Sequence, residues 1–434
     1  MAERYDCIVV GAGPAGAAAA LTLAKAGLSV IVFERGEYPG AKNLFGGILY
    51  TTVLAGLIPG FCDEAPLERH VSKRRYSFVT GDSEAAVDLS FDAFNKPPFN
   101  NSYTALRARF DRWFASKAEE AGAIVVAEAV VDELIMENGV AKGARVRMEG
   151  GTVYADAVIL AEGANSLLAE KAGIRPRINA ADYSLGVKEI ISLPEGVIED
   201  RFGLEAGAGT ACEFFGEALG PGVEGGGFIY TNIDTLSVGI ACPVSVLKEK
   251  MLKPNEMLDA FKLHPAVRKF LRGGRIEEYA AHLIPEGGYN AIGRLVGNGV
   301  LLAGDCAGFV NPSLYKEGTN LAMASGVMAA ETVIEARATG DFSEAGLQGY
   351  LKRLNDSFVM QDLKRYRDVP ATLHSSTGLF KEYPEAVMEL LERHFTVSGE
   401  SKAAMHKELR RILRGKVSLW RLAADALHLR NLIK

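Results

Sequence analysis

Residues 4–35 read RYDCIVVGAGPAGAAAALTLAKAGLSVIVFER, and their order decides the fold. The apolar run Cys7 to Val10 has the length and composition of a buried parallel strand. Gly11-Ala12-Gly13-Pro14-Ala15-Gly16 follows without a gap. An alanine-rich helix then runs to Lys25, stops at Gly27, and gives way to a second strand, Val30 to Phe33, ending on Glu34. Strand, GxGxxG turn, helix, strand and acid in this order form a dinucleotide-binding fingerprint in its required context. Gly11 makes the tight turn, Gly13 lets backbone approach a pyrophosphate, and Gly16 lets the helix pack on the strand. Pro14 and Ala15 open the helix whose free N–H groups and dipole favour an anion. A carboxylate at Glu34 accepts from an adenosine ribose hydroxyl and repels a 2′-phosphate. The competing interpretation is a glycine-rich turn in a degenerate fold.

The chain of 434 residues has room for two or three domains and a large core. Hydrophobic residues make up 48% and charged residues 24%, as in an ordinary water-soluble globular protein, and a net charge of −6 does not suggest nucleic acid. The charge is uneven: residues 402–434 hold nine Lys/Arg against Glu408 and Asp425. Cys7, Cys62, Cys212, Cys242 and Cys306 are scattered without a CxxC pair. That spacing argues against a disulfide framework and against a zinc or iron–sulfur site, and it suits a reducing compartment. No metal site is expected. The stretch before the first strand is too short and polar for a signal peptide, and no run of eighteen apolar residues exists to span a membrane.

After Glu34 and Arg35 comes a stretch rich in glycine, GEYPGAKNLFGGILY (36–50), which reads as a loop. Its Gly46-Gly47 pair suits either close backbone approach to a flat ring or a plain surface loop. Residues 103–126 carry apolar side chains at helical spacing, with Arg107 and Arg109 at the helix start. There a long cation either reaches a cofactor or faces solvent. Strands follow at 123–126, 130–136 and 140–148, with a turn at Asn138-Gly139. The apolar strand 153–160 ends in Ala161-Glu162-Gly163-Ala164-Asn165-Ser166, the kind of small-residue loop that borders a ligand crevice. From 183 to 242 the pattern changes to alternating strands, with a hairpin turn at 232–234. Residues 243–271 return to helix, and 78–91 joins this second sheet. Val300 to Ala303 is again a buried strand, ending at Gly304-Asp305; Asp305 is placed to accept from a polyol hydroxyl or to cap a helix. A long small-residue helix begins near Gly318-Thr319-Asn320, a second anion-favouring helix end. Beyond 342 the chain is helical and charged. Leu409, Ile412, Leu419, Trp420, Leu422 and Leu427 recur among Lys407, Arg410, Arg411, Arg414 and Arg421. This is either a basic amphipathic tail for an anionic membrane surface or a core-docked helix with a solvated face.

Three motifs together carry a resemblance: GxGxxG with Glu34, the AEGANS loop at 161–166, and GDCAGFVNPSLYKEGTNLAMASG at 304–326. The chain resembles the glutathione-reductase-type FAD fold of the p-hydroxybenzoate hydroxylase superfamily. Within it, GAKNLFGGILY (40–50), YTALRARFDRWFASKAEEAGA (103–123) and IPEGG (284–288) are similar to the geranylgeranyl reductase and electron-transfer flavoprotein–quinone oxidoreductase branch, FixC (EtfC) type. The likeness spans residues 4 to about 330.

The resemblance implies an α/β fold: a Rossmann-like FAD domain (1–77, 104–180 and 290–340), an inserted antiparallel-sheet quinone domain (78–103 and 181–289), and a helical C-terminal region (341–434). It implies FAD held by Gly11, Gly13, Pro14, Ala15 and Gly16 at the pyrophosphate, and by Glu34 and Arg35 near the ribose. The Val130 backbone would meet the adenine. Lys42, Gly46 and Gly47 would line the flavin, with Arg107 contacting the cofactor. Glu162 and Gly163 stand where the hydroxylases have Asp-Gly, which weakens any expectation of NADPH. Gly304 and Asp305 would meet the ribityl chain. Amides at Gly318, Thr319 and Asn320 would lie near flavin N1 and O2. It further implies electron transfer from the alpha and beta subunits of an electron-transfer flavoprotein to a membrane quinone, at the inner face of the cell membrane. Full-length members carry a cysteine-ligated [4Fe–4S] module that this chain lacks after Cys306, so a small ferredoxin-like subunit of the FixX type would supply it. The alternative within the branch is a geranylgeranyl (prenyl lipid) reductase.

Overall fold

The computed structural model describes residues 4–43, 46–147, 150–416 and 430. The chain divides into two compact units, one of residues 1–68, 101–183 and 283–367, the other of residues 69–100, 184–282 and 368–434. Residues 341–367 thus group with the first unit and 368–434 with the second.

The first unit is built on parallel strands in the order Val300–Leu302, Thr152–Leu160, Arg4–Val10, Val30–Phe33 and Ile124–Val126. Val296–Gly297 pairs antiparallel on the outer side of Val300–Leu302, Val140–Val146 on Thr152–Leu160, and Val131–Glu137 on Val140–Val146. The register puts Leu302 opposite Leu160, Leu160 opposite Val10, Val10 opposite Phe33, and Phe33 opposite Val126. All five strands therefore end on one row. The backbone ladder runs one step further, from Ala303 N–H to Leu160, Ala161 N–H to Val10, Gly11 N–H to Phe33 and Glu34 N–H to Val126.

Two helices lie behind this row, Pro14–Lys25 and Thr319–Thr339. A Cβ on Gly326 would fall on the Ala15 carbonyl oxygen, and one on Gly304 would come within 2.9 Å of the Ala15 Cβ. The alanine and glycine richness of both helices is the sequence counterpart of this close backbone approach. The glycine-rich stretch read as a loop is corrected at its end. Gly46–Tyr50 is a strand, antiparallel to Ser102–Leu106, with Gly46 opposite Leu106 and Gly47 opposite Ala105. Two leading glycines hid the β-forming Ile48-Leu49-Tyr50 that follows them.

The second unit has a sheet in the order Arg275–Pro285, Tyr183–Ser192, Thr235–Pro243, Gly226–Thr231, Ala208–Gly216 and Leu67–Thr80, with Ser83–Ser90 paired to Leu67–Thr80. The four strands from Tyr183–Ser192 to Ala208–Gly216 in this order pair antiparallel, and Ala208–Gly216 runs parallel to Leu67–Thr80. One face packs Val187, Phe214, Ile229, Val238 and Ile240 with Phe261 and Val267 from the helices Pro254–Leu263 and Pro265–Leu271. Alternation puts Lys188, Glu213, Phe228 and Tyr230 on the opposite face. Arg275–Pro285 escaped the sequence reading because its exposed half, RIEEY, is charged, as edge strands often are.

The helix Lys402–Lys416 packs on Glu382–Phe395, with Met405 buried and Arg393 paired to Glu408 at 2.6 Å. Leu419, Trp420, Leu422 and Leu427, the apolar residues expected of the tail, lie outside the described residues.

The contact between the two helices yields a test. Gly326→Ala is expected to destabilise the protein by about 1–3 kcal/mol through overpacking against the Ala15 carbonyl. Denaturant unfolding measures this, and an unchanged midpoint would contradict the packing.

Candidate functional site

Every loop leaving the strand-end row carries a residue singled out from sequence. Gly11 has φ +97°, and a Cβ there would strike the Ala161 carbonyl oxygen; a Cβ on Gly16 would strike the Gly11 carbonyl oxygen. Both positions are closed by backbone. Gly13 differs: the nearest atom to its absent Cβ is the Arg107 Nη2, at 3.8 Å. The fingerprint turn is tight at Gly11 and Gly16 and open at Gly13, the geometry that admits a pyrophosphate.

Glu34 is buried and ties the turn together. Its Oε2 accepts from Ala12 N–H at 3.0 Å and its Oε1 from Gly36 N–H at 2.7 Å. Each carboxylate oxygen keeps a further lone pair for a ribose hydroxyl. Ala129 N–H donates to the Glu34 carbonyl and Glu128 N–H to the Gly36 carbonyl, which brings the segment before Val130 alongside. The Val130 carbonyl accepts from Arg147 N–H at 2.8 Å.

Arg107, at the start of the helix Arg107–Glu120, is held by a residue that sequence reading missed. Its Nε and Nη2 donate to the two carboxylate oxygens of Asp111 at 2.7 and 2.8 Å. Asp111 is 1% exposed. Burial pushes the Asp111 carboxyl up and Glu34 adds to the push, while Arg107 draws it back. Burial disfavours the Arg107 charge, but Asp111 and Asp305 together hold it firmly protonated. A bidentate pair fixes the guanidinium plane as well as its place. The only sequence signal was the i,i+4 spacing on a helix. Arg109 instead faces outward, 64% exposed, toward Glu68.

Glu162 has its carboxylate committed to the short helix Leu167–Lys171: Oε2 accepts from Leu168 N–H and Oε1 from Ala169 N–H, each at 2.8 Å. Burial raises its pKa against those two donors. Arg175, also missed, clamps two of the loops. Its Nη1 donates to Ser166 Oγ at 2.7 Å, to the Asp305 carbonyl at 3.4 Å and to the Cys306 carbonyl. Gly304 N–H donates to Ser325 Oγ at 3.0 Å, which ties the Asp305 turn to the long helix.

That helix begins at Thr319 with Gly318 as its N-cap. No side chain caps it, so the positive end of a 21-residue helix is left for a ligand. Asn320 is buried, and its Nδ2 donates to Glu317 Oε1 at 2.9 Å, yet its Oδ1 is buried without a donor. The Oδ1 of Asn43 is likewise buried without one. Such atoms cost about 1–3 kcal/mol each if left unserved. An isoalloxazine N–H and ribityl hydroxyls are donors of the required kind. With the opening at Gly13, these orphaned acceptors fit a flavin dinucleotide. Lys42 and Arg35 stand exposed, and Leu44 and Phe45, beside Gly46, lie outside the described residues.

The comparisons with known proteins agree with this geometry. Residues 6–91 match the profile "FAD dependent oxidoreductase", residues 183–284 "ETF-QO, ubiquinone-binding", and residues 369–433 "ETF-QO/FixC family C-terminal domain". The chain is 44% identical over 427 residues to protein FixC of Azotobacter vinelandii, covering 98% of both chains. It is 43% identical over 408 residues to protein FixC of Bradyrhizobium diazoefficiens, covering 93% of both. Among solved structures it resembles a geranylgeranyl bacteriochlorophyll reductase-like protein of Thermoplasma acidophilum, with a TM-score of 0.75, 22% identity and full coverage of both chains. That last likeness shows the fold alone. FAD is the cofactor these matches assign.

Two of the fingerprint glycines, Gly13 and Gly16, should separate in mutagenesis. Gly13→Val fills only the opening, so the protein is expected to fold and purify colourless. Gly16→Val meets backbone and is expected to unfold the unit. Flavin absorbance with circular dichroism distinguishes the two, and a folded, fully yellow Gly13→Val protein would overturn the pyrophosphate assignment.

Proposed function

The chain belongs to the ETF-QO/FixC family of flavoprotein oxidoreductases, and from that premise we propose that it carries electrons from an electron-transfer flavoprotein to a membrane quinone. It acts as the FixC-like subunit of an Etf/Fix complex. The observation that carries the reading is the ubiquinone-binding match at residues 183–284, which falls on the mixed sheet with stacked Phe228 and Tyr230, ring centroids 4.9 Å apart. Flat aromatic side chains on a sheet face suit a flat quinone ring.

FAD supplies a store for two electrons taken up singly or together. The chain's own residues bind it, orient it and set its electrostatics. Glu34 receives the adenosine ribose and the Gly13 opening takes the pyrophosphate. Asp111 fixes the Arg107 guanidinium, whose Nη2 lies 3.8 Å from the Cβ position of Gly13, beside that opening. The helix end at Gly318 to Asn320 favours negative charge on the ring by roughly 0.3–2 kcal/mol. We assign the FAD domain to 1–77, 104–180 and 290–340, the quinone domain to 78–103 and 181–289, and the helical region to 341–434. Lys42, Gly46, Gly47, Val130, Glu162, Gly163 and Asp305 remain in the proposed cofactor shell.

The partners in this reading are the alpha and beta subunits of the flavoprotein and a ferredoxin-like [4Fe–4S] subunit of the FixX type. Burial raises the thiol pKa of Cys7, Cys212 and Cys306, Cys212 to about 12, which keeps them protonated and poor cluster ligands. Among the described residues no group of three or more His, Cys, Asp or Glu is arranged to hold a metal ion. The isolated chain is therefore expected to bind FAD without iron, and to reduce quinone only when co-expressed with the three partners. Stoichiometric iron in the isolated chain would refute the separate-subunit arrangement. Reduction of prenyl double bonds by the chain alone would favour the reductase alternative.

Among the described residues no helix is long and apolar enough to cross a membrane. We place the protein at the cytoplasmic face of the cell membrane, on anionic lipid, through the basic segment 402–434. Each Lys or Arg near such a surface contributes about 1 kcal/mol at low salt. Deleting 402–434 should release the protein from anionic liposomes; equal binding in low salt would make this segment a docked core helix or a subunit contact instead.

A further inference from the structure

We propose that Glu317 is a positioning residue, which fixes the side-chain amide of Asn320 with its oxygen presented as an acceptor for the N3–H of the bound isoalloxazine ring. The inference rests on the reading that puts the Gly318 to Asn320 helix end beside the pyrimidine edge of FAD.

An ionised carboxylate only accepts hydrogen bonds, so a neighbouring amide must offer it the NH2 group. Glu317 receives two such groups: Asn320 Nδ2 at 2.9 Å on Oε1 and Asn311 Nδ2 at 3.3 Å on Oε2. The backbone of Glu317 is itself anchored, because Asn311 N–H donates to the Glu317 carbonyl at 2.8 Å and the two residues form an isolated antiparallel bridge. Asn311 is fixed at both ends, since its Oδ1 accepts from Ser313 N–H at 3.1 Å. Asn320 is fixed at one end only. With its NH2 turned to Glu317, its Oδ1 faces the other way, buried, with no protein donor. Asn320 is 3% exposed and sits in the first turn of the long helix.

A side chain held this way requires a ligand that donates. Along the pyrimidine edge of oxidised flavin, N1, O2 and O4 accept and N3–H alone donates. Glu317 thereby decides which half of the Asn320 amide meets the ring. Turned the other way, the NH2 would oppose the N3–H, donor against donor. Glutamine at 317 removes the constraint, because its amide either donates or accepts and lets Asn320 rotate.

The test compares the affinity of apoprotein for FAD and for 3-methyl-FAD, which lacks the N3–H. Wild type is expected to prefer FAD about fivefold, the worth of one hydrogen bond. In Glu317→Gln and in Asn320→Leu that preference should fall toward one, and the double variant should show no further loss. Equal affinity of wild type for both cofactors would overturn the proposal while leaving FAD binding intact. A Glu317→Gln protein with the full wild-type preference would overturn it too, as would a double variant that loses more than Asn320→Leu alone. Failure of wild type to bind FAD at all would instead be a failure of the underlying reading.

Discussion

Five parallel strands end in register, and the rest of the site depends on that alignment. The row Leu302, Leu160, Val10, Phe33 and Val126 is fixed by backbone hydrogen bonds rather than by side chains. One residue beyond it begin the Asp305 turn, the Glu162 loop, the fingerprint turn, Glu34 and the segment leading to Val130. A parallel sheet whose strands stop together turns residues distant in sequence into neighbours at one crevice. The two helices behind the row keep it in place, and they approach closely because Gly326 and Ala15 have little or no side chain.

On this frame the polar groups hold one another in place. Glu34 holds the fingerprint turn by two backbone N–H groups, Asp111 locks the Arg107 guanidinium, Arg175 clamps the carbonyls of Asp305 and Cys306, and Glu317 orients Asn320. Two of the buried unserved atoms, Asn43 Oδ1 and Asn320 Oδ1, are acceptors and call for a ligand with N–H and hydroxyl donors.

The parts of this account that were legible in the sequence are those governed by local pattern. The fingerprint announced itself because turn, helix dipole and acid lie within thirty residues of one another. The strands 152–160 and 300–302 were legible as apolar runs ending in small residues, and the 138–139 turn by its Asn-Gly pair. What stayed hidden depends on tertiary context. Asp111 looks like any charged residue on a helix until burial and Arg107 are seen together. Arg175 and Glu317 sit in irregular segments where no periodicity marks them. The strand at Gly46–Tyr50 was masked by its leading glycines, and the edge strand Arg275–Pro285 by its charges. The apolar part of the C-terminal segment lies beyond the described residues, so its amphipathic pattern remains a matter of sequence.

The central claim is that the flavin of this chain stands between an electron-transfer flavoprotein and a quinone. Anaerobic rapid mixing tests it most directly: FAD-loaded protein, with the proposed ferredoxin-like subunit, is mixed first with reduced electron-transfer flavoprotein and then with quinone. The account predicts bleaching of the FAD in the first step and its return, with quinol formed, in the second. An FAD that stays oxidised in the first step, or stays reduced in the presence of quinone, would contradict it.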